Sequence, residues 1–422
     1  MPRNLLRKVL FSRRMLVCLI MGYAAGLPLE LTGFVLKTWM RTEGVDLTVI
    51  GLFALVGLPY TLKFLQAPIL DRFTLPFFGR RRGWLLVFQT ALVVSIVGLG
   101  RTDPAHNPVL VAAIAFCVTF FSASQDIVID AYRREDLPDE ELGLGSSLYV
   151  SGYRIGMLLA AGGGLILSDH LGFPMVYSLL ALCLLPGIIS TILTPEPATP
   201  LGTPESLKEA VVEPFVEYFQ RPNAVWILAF ILLYKIGDTM ASSMTAPFYM
   251  DMAFTMTEVG ALVKLVGFWA ILGGNLLGGL VMLKLGINRS LWIFGIFQAL
   301  STAGFSVLAQ LGHHLTALGF VLAFENLTAG MGTAAYAAFM ASITHKKFTA
   351  TQYALLTSLM GIPRVVASSI TGWMAKFMGW TGFFVFCALI AIPGLLLLLK
   401  FAPWSRKIET GQPMETTPPQ RG

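Results

Sequence analysis

Residues 121–135 read FSASQDIVIDAYRRE. Two aspartates in this stretch, Asp126 and Asp130, lie four residues apart within an apolar run that begins near Pro108. On a helix, this spacing stacks both carboxylates on one face, one turn apart. If the run crosses a bilayer, acids at that depth are costly and mark a functional site. The stretch therefore predicts a membrane helix with a functional polar face.

The composition of the whole chain agrees with a membrane protein. Of its 422 residues, 55% are hydrophobic and only 13% are charged, with a mean hydropathy of +0.71. A soluble domain carries roughly 25% charged residues. Twelve apolar spans can be recognised, each about long enough to cross a hydrocarbon core of roughly 30 Å. They cover residues 15–36, 47–70, 84–100, 108–132, 143–168, 172–193, 224–250, 257–282, 291–311, 315–341, 351–376 and 380–402.

The spans fall into two groups of six. We predict an N-terminal six-helix bundle (1–193), a polar, proline-rich cytoplasmic linker (194–223), a C-terminal six-helix bundle (224–402) and a flexible cytoplasmic tail (403–422). Six spans, a long linker and six more spans are the layout of the major facilitator carriers, whose halves are parallel repeats. The predicted fold class is an all-α membrane protein with the major facilitator fold and two pseudo-symmetric bundles.

Basic residues predict the orientation. Of 30 lysines and arginines, 21 lie in segments on the same side as the N-terminus, 4 on the other side and 5 within the spans. The positive-inside rule then places both termini in the cytoplasm. The net charge of +6 is explained by topology and does not indicate nucleic acid binding.

Two loops in equivalent positions echo each other. APILDRFTLPFFGRRRGW follows the second span, and GLVMLKLGINRS ends the eighth, with Leu283 where the first copy has an aspartate. The acid of the first copy can cap or pair with a neighbouring helix end, while its arginines lie at headgroup level. We assign a conformational latch to Asp71, Arg72, Arg80, Arg81 and Arg82; the alternative is that the arginines are topology anchors alone.

Ten charged residues remain inside the predicted spans. For each, static pairing with a neighbour is the alternative to a functional role, and Lys235 with Asp238, or Asp130 with Arg133 and Arg134, have the spacing for it. Buried ionisable residues in membrane helices nevertheless face a bundle interior or a water-filled cavity by default. The ten residues are Glu30, Lys63, Asp126, Asp130, Arg154, Lys235, Asp238, Lys264, Glu325 and Arg364.

Four acids are predicted to take part in proton coupling: Glu325, Asp126, Asp130 and Asp238. Glu325 is at mid-span with no basic residue within four positions, and Asp126 lies a further turn inward from the arginines that follow Asp130. Burial and a second carboxylate on one face both disfavour ionisation, as a proton-coupled carrier requires. Neutralisation of Glu325 across the cavity by Arg364 or Lys264 is the alternative.

The basic side chains suggest the charge of the substrate. Lys235, Arg154 and Arg364 are at mid-span, and a guanidinium presents a planar fork to carboxylates or phosphates. Lys63 and Lys264 lie nearer span ends, from which they could snorkel. These five bases and Glu30, which could face the outer mouth, are the predicted substrate-binding residues. The pattern favours an anionic or hydrogen-bonding substrate.

Several segments resemble the AmpG muropeptide permeases of Gram-negative bacteria: GYAAGLPLELT, DRFTLPFFGRRRGW, SASQDIVIDAYR, GYRIGM, LYKIGD, FENLTAGMG and ATQYALLTS. The resemblance covers roughly residues 15–402. It implies import of N-acetylglucosaminyl-1,6-anhydro-N-acetylmuramic acid, with or without peptide, across the inner membrane for peptidoglycan recycling, powered by protons. The matching motifs contain Asp126, Asp130, Arg154, Lys235, Asp238 and Glu325.

Two departures and two alternatives accompany the resemblance. Glu30 stands where a small residue is expected, and some members carry two further helices. A carrier of another anionic solute, such as acetyl-CoA, or a drug efflux pump remains an alternative. An enzyme is not expected, because the five histidines lie in loops or helix ends and no metal-ligand spacing, nucleophile elbow or phosphate loop is present. No cofactor or metal is predicted, and the chain is expected to work as a monomer.

Overall fold

The computed structural model describes residues 12–198, 202, 204–255, 258, 259, 262, 266–361, 363, 367 and 370–404. Two predicted site residues, Lys264 and Arg364, lie outside the described residues, as does most of the predicted tail. All the regular structure in the described part of the chain is helical.

Nine helices in the described part of the chain are long and apolar enough to cross a membrane. They are Arg13–Thr42, Arg80–Gly100, Pro108–Asp136, Leu142–Leu171, Phe173–Leu193, Ala224–Asp251, Phe268–Leu311, Leu315–Ser342 and Thr371–Phe401.

Two of the nine are divided by a glycine in the left-handed region of φ, which favours glycine. Gly286 (φ 77°) divides Phe268–Leu311, and Gly379 (φ 69°) divides Thr371–Phe401. The part before Gly379 and the helix Thr349–Leu359 both fall in the predicted eleventh span, residues 351–376. A broken series of short helices at 47–72 supplies one more. The twelve segments that result, called spans 1 to 12 in chain order, agree with the predicted number.

Spans 2 and 7 are interrupted where the sequence predicted continuous helices. Span 2 consists of Leu47–Leu52, a 3₁₀ segment Phe53–Gly57, Leu58–Thr61, a second 3₁₀ segment Lys63–Leu65 and Ala67–Arg72. A proline occupies one of the first two positions of both later α-helical pieces, where its missing N–H costs nothing.

The break in span 7 falls at Lys235, between the helices Ala224–Leu233 and Ile236–Asp251. A charged side chain therefore sits at a point where the backbone leaves the regular helix.

Apolar packing divides the molecule into two bundles. One cluster of buried residues is drawn only from spans 1 to 6, including Leu92 and Tyr177, and another only from spans 7 to 12, including Phe305 and Phe384. A third cluster contains residues of both groups and joins them. This arrangement, two six-helix bundles with a shared interface, is the predicted fold class.

A helix outside the bundles, Leu207–Gln220, is called the linker helix. The Ser206 side chain accepts from the Glu209 N–H (3.1 Å), and the Glu209 carboxylate reaches back to the N–H groups of Glu205 (2.6 Å) and of Ser206, the N-cap residue, as in a capping box. The linker helix packs on the end of span 2 and the start of span 11. The side of the molecule that holds these elements is called the linker face, and the opposite side the far face.

Candidate functional site

The two bundles are joined on the linker face through Asp71, a fully buried residue at the end of span 2. Its Oδ2 accepts from the Thr351 N–H (2.8 Å) and from Thr351 Oγ1 (2.8 Å), while its Oδ1 accepts from the Ala350 N–H (3.3 Å). A carboxylate at these N–H groups satisfies donors that the helix itself leaves unpaired and favours its dipole. An acid of one bundle thus caps the first helix of span 11 in the other.

Two arginines neutralise this acid together with a second one. Arg81, also fully buried, donates from Nη2 to Asp71 Oδ1 (2.8 Å) and to Glu135 Oε1 (2.6 Å). Arg80 Nη2 donates to Glu135 Oε1 (2.9 Å) and lies 3.6 Å from Asp71 Oδ1. Two acids and two guanidiniums form one network, so loss of any member leaves an uncompensated buried charge. Sequence reasoning missed Glu135, although it ends the stretch YRRE.

The other two predicted latch residues lie outside this network. Arg82 donates to the carbonyl oxygens of Thr191 (2.9 Å) and Ile192 (2.6 Å) at the end of span 6, where a cation is favourable. The Arg72 guanidinium lies over the Phe73 ring, 5.6 Å from its centroid. Of the five predicted latch residues, Asp71, Arg80 and Arg81 therefore belong to the network that joins the bundles, whereas Arg72 and Arg82 make only local contacts.

A second polar contact between bundles starts from span 4. Arg133 Nη2 donates both to Asp130 Oδ1 (3.1 Å) and to the hydroxyl of Tyr353 (2.9 Å) in span 11. Arg134, the other predicted partner of Asp130, instead pairs with Asp139 (2.8 Å). The predicted pairing of Asp130 is therefore right for the first arginine and wrong for the second.

Four charged residues form the first cluster, on the inner side of the N-terminal bundle: Asp126, Asp130, Lys63 and Arg133. Lys63 Nζ lies 4.0 Å from Asp130 Oδ2, and both bases are within electrostatic range of Asp126. Asp126 is 6% exposed, and its Oδ1 has no hydrogen-bond partner among the described residues. The expectation that Lys63 snorkels from a span end is wrong, because its side chain is only 12% exposed and faces the acids.

Tyrosine rings surround the first cluster, and Arg154 lies beside them. Tyr60, Tyr149 and Tyr153 are within electrostatic range of Asp126. Arg154 interacts with Glu30 of span 1, and both are partly buried. The unexpected acid in span 1 is therefore near a predicted substrate-binding arginine.

The second cluster lies on the inner side of the C-terminal bundle and consists of Lys235, Asp238, Gln298 and Glu325. Lys235 Nζ donates to Asp238 Oδ2 (3.2 Å) and to Gln298 Oε1 (3.2 Å). Glu325 interacts with both Asp238 and Lys235, and among the described residues its Oε2 has no hydrogen-bond partner. Sequence reasoning missed Gln298, although an amide in the apolar ninth span was a signal for it.

A glycine allows the second cluster to be this compact. A Cβ at Gly332 of span 10 would lie 2.7 Å from Gln298 Oε1 and 3.7 Å from Lys235 Nζ. A larger residue here would therefore displace the Gln298 amide from its present position beside the lysine.

The clusters differ in charge and retain some exposure. The first has two acids and two bases, whereas the second, among the described residues, has two acids and one lysine. Lys235 and Asp238 keep 15% and 20% of their side-chain surface exposed although they lie within a bundle. The second cluster is therefore not fully sealed within the bundle, whereas the contacts of Asp71 and Arg133 join the bundles on the linker face. Such an arrangement can hold a polar anion and exchange a proton.

Known structures share this architecture. A proton:xylose symporter, XylE, superposes with a TM-score of 0.70 over 93% of this chain and 95% of its own, at 11% identity. The fucose:proton symporter FucP of Escherichia coli superposes with a TM-score of 0.72 over 95% of this chain and all of its own, at 12% identity. The sequence model of the Major Facilitator Superfamily matches residues 14–368. Fold and site thus define a multi-pass membrane carrier of this superfamily.

Relatives that match most of the chain identify the family within this superfamily. A protein of Escherichia coli K12 described as anhydromuropeptide permease is 45% identical over 388 residues, which are 92% of this chain and 79% of that protein. A Rickettsia bellii protein described as putative transporter AmpG 1 is 34% identical and covers 92% of this chain and 98% of its own. The chain belongs to the AmpG family of major facilitator permeases, which confirms the resemblance, and it is a carrier rather than an enzyme.

Proposed function

We propose that this protein imports anhydromuropeptides together with protons, by alternating access. The observation that carries the proposal is the 45% identity, over 92% of the chain, to an anhydromuropeptide permease. Anhydromuropeptides are anions rich in hydroxyl and amide groups. The lysines, arginines, amide and tyrosines around the two clusters are the residue types that recognise such groups. Peptidoglycan recycling is the process that this import serves.

The second cluster is the proposed site of proton coupling. Asp238 and Glu325 lie close enough to interact directly, and among the described residues Lys235 is the base that interacts with both. Two neighbouring carboxylates with one lysine favour binding of one proton, whereas the balanced first cluster does not need one. Glu325 leads this proposal, with Asp238 as its partner and with Asp126 and Asp130 as further candidates.

The bases are the proposed substrate contacts. Lys235 would exchange its bond to Asp238 for one to the substrate anion, and Arg154 would add a planar pair of donors from the other bundle. Lys63 and Glu30 line the same inner surface in this proposal. Lys264 and Arg364 are retained in it on sequence grounds alone.

The network of Asp71, Arg80 and Arg81 is the proposed latch of the closed linker face. Opening that face would separate Asp71 from the first helix of span 11, and the arginines would then keep the acid neutralised. Arg72 and Arg82 are retained as flanking residues of the latch. The lack of a matching acid at Leu283 makes this latch one-sided.

Orientation and organisation complete the proposal. The distribution of basic residues supports a cytoplasmic linker face and cytoplasmic termini in the inner membrane. Bundles at 1–193 and 224–402, joined by the linker 194–223 and followed by the tail 403–422, are supported by the separate apolar clusters. A monomer suffices, because one chain supplies both charged clusters.

Uptake by proteoliposomes tests the proposed function. Purified protein is reconstituted, a proton gradient (acid outside) is imposed, and entry of radiolabelled GlcNAc-1,6-anhydroMurNAc-tripeptide is measured with and without a proton uncoupler. We expect accumulation that the uncoupler abolishes, and competition by unlabelled anhydromuropeptide. Accumulation that resists the uncoupler would overturn the proton coupling. Absence of uptake, with proton-driven movement of acetyl-CoA or of a drug instead, would overturn the substrate.

A further inference from the structure

The linker helix has three sides: one is packed against the bundles, one is polar, and one is apolar and exposed. Ala210, Pro214 and Tyr218 are buried against the bundles and recur every four residues. Glu209 and Glu213 begin a polar stripe on the neighbouring side. At 100° per residue, these two stripes take up about half of the circumference.

The remaining half is largely apolar and exposed, and it is called the apolar face. It contains five bulky side chains on a helix of 14 residues, each 39–56% exposed. They are Val211, Val212, Phe215, Val216 and Phe219, and the exposed Lys208 lies among them in the first turn of the helix. A contiguous apolar surface of this kind on a folded protein marks a place where something else binds.

Three contacts hold the linker helix flat on the linker face. Near its start, Glu209 accepts from Lys347 Nζ (2.7 Å), and at its middle the Pro214 carbonyl accepts from Gln352 Nε2 (3.1 Å). Just past its end, Arg221 donates to the carbonyl of the residue that follows span 10. The partners all lie at 343–352, from the end of span 10 to the first turn of span 11, so the helix runs along the surface and does not project from it.

The end of the linker helix lies at the boundary of the membrane. Only residues 221–223 separate it from span 7, whose first turn exposes Val225 (65%) and Trp226 (44%). Lys400 Nζ, at the end of span 12, lies 3.7 Å from the centroid of a Trp226 ring. Tryptophan and lysine at span ends are typical of the headgroup region. The apolar Phe219, 56% exposed, is within two turns of this level.

We propose that the linker helix is an interfacial helix whose apolar face is buried in lipid at the headgroup–acyl boundary. The bilayer thereby binds one side of the linker helix, whose other side packs on the closed linker face. The charges on its polar side are mostly glutamates, so insertion depends on apolar burial and not on attraction to anionic lipid. The tail SRKIETGQPMETTPPQRG is too hydrophilic to cover this face. The inference depends on membrane position and not on the transported substrate.

Depth-dependent fluorescence quenching tests this inference. Cys18, Cys117, Cys183 and Cys387 are replaced by serine, and a single cysteine is introduced at Val212 or Phe219 on the apolar face, or at Glu213 on the polar stripe as control. Each protein carries an NBD label and is reconstituted in phosphatidylcholine vesicles with or without phosphatidylglycerol. Lipids with nitroxides on the acyl chain near the headgroup serve as quenchers.

We expect at least twofold stronger quenching at positions 212 and 219 than at position 213, with little effect of phosphatidylglycerol. Equal, weak quenching at all three positions would overturn the inference. Strong energy transfer between labels on two copies of the protein, in place of quenching, would also overturn it, because a second copy would then cover the apolar face. Val216→Cys provides a second position on the same face if a label at 219 prevents folding. Failure of muropeptide uptake would leave this measurement unaffected, so the two proposals are separable.

Discussion

The two charged clusters differ in how completely their charges are matched. In the first, Asp130 is held by Lys63 and Arg133, and the arginine continues to Tyr353 in the other bundle. In the second, Asp238 and Glu325 share Lys235, whose other contact is a neutral amide. Matched charges are suited to position two bundles relative to each other, whereas an excess acid is suited to bind and release a proton. In the proposed function, this difference favours conformational coupling for the first cluster and proton binding for the second.

The largest effect is expected when the excess acid is removed. Glu325→Gln keeps the shape of the side chain but cannot release a proton, so proton-driven accumulation in vesicles should fall at least about tenfold, equivalent to ~1.4 kcal/mol of coupling. Exchange of labelled for unlabelled substrate, which needs no net proton movement, should persist. The control is Glu140→Gln, an exposed acid on the linker face. Undiminished accumulation in Glu325→Gln would contradict this role.

Removal of the shared lysine should weaken substrate binding. Lys235→Ala deletes the positive charge between Asp238 and Gln298, so the KM for uptake should rise about tenfold while kcat changes less, as expected when a binding interaction of ~1.4 kcal/mol is lost. Lys235→Arg should restore part of the affinity, and Lys37→Ala, at an exposed position in span 1, is the control. Unchanged affinity would leave Lys235 only its ion pair with Asp238.

A smaller effect is expected from the unpaired acid of the first cluster. Asp126→Asn keeps a polar group but removes a charge that faces Lys63 and Arg133, so uptake should survive with a changed pH dependence. Asp169→Asn, an exposed acid of span 5, should show the same profile as the unaltered protein. If Asp126→Asn also keeps that profile, Asp126 has a structural role and Asp130 is the remaining proton-coupling candidate of the first cluster.

The contact between bundles can be tested separately. Tyr353→Phe removes the hydroxyl that accepts from Arg133 and leaves the ring in place. Loss of one hydrogen bond to a charged group is worth about 1.5–3 kcal/mol. We expect the closed linker face to be less populated. Two cysteines introduced on opposite sides of that face should then be crosslinked more slowly than in the protein with Tyr353. An unchanged rate would show that the other contacts between the bundles, including the Asp71 network and the bond from Arg134 to the Ser342 carbonyl, suffice to keep the face closed.

Much of the fold follows from sequence, because apolar spans and basic loops leave a strong pattern in one dimension. The count of twelve spans is confirmed, and the local pairs of Lys235 with Asp238 and Asp130 with Arg133 have the spacing that a helix imposes. Contacts between distant spans carry no such pattern. Gln298 and Glu135 are therefore recognised only once spans 7 and 9, or 3 and 4, lie side by side. The break at Lys235 is also missed, since no proline lies there and Gly237, two residues further on, is inside the helix that follows.

An ion pair outside the membrane shows how much a solvent-exposed pair of charges contributes to stability, for comparison with the two buried clusters. Glu209 of the linker helix accepts from Lys347 Nζ (2.7 Å), and this contact, with the backbone N–H groups of Glu205 and Ser206, lowers the pKa of the Glu209 carboxyl. A lowered pKa means that the pair stabilises the folded protein above the pKa of the unfolded chain and loses this effect as pH falls through the folded value. Solvent-exposed pairs contribute little.

Lys347→Ala should therefore lower the Tm by less than about 2 °C at pH 7, and the difference should vanish in acid as Glu209 becomes protonated. Thermal unfolding in detergent at pH 7 and at pH values below the range of ordinary carboxyl groups would measure it, with Lys346→Ala as the neighbouring control. A large drop at pH 7 that persisted in acid would contradict a weak surface pair. It would show instead that the linker helix depends on this lysine for its packing. In that case, counting acids and bases would also be a poor way to predict the roles of the two buried clusters.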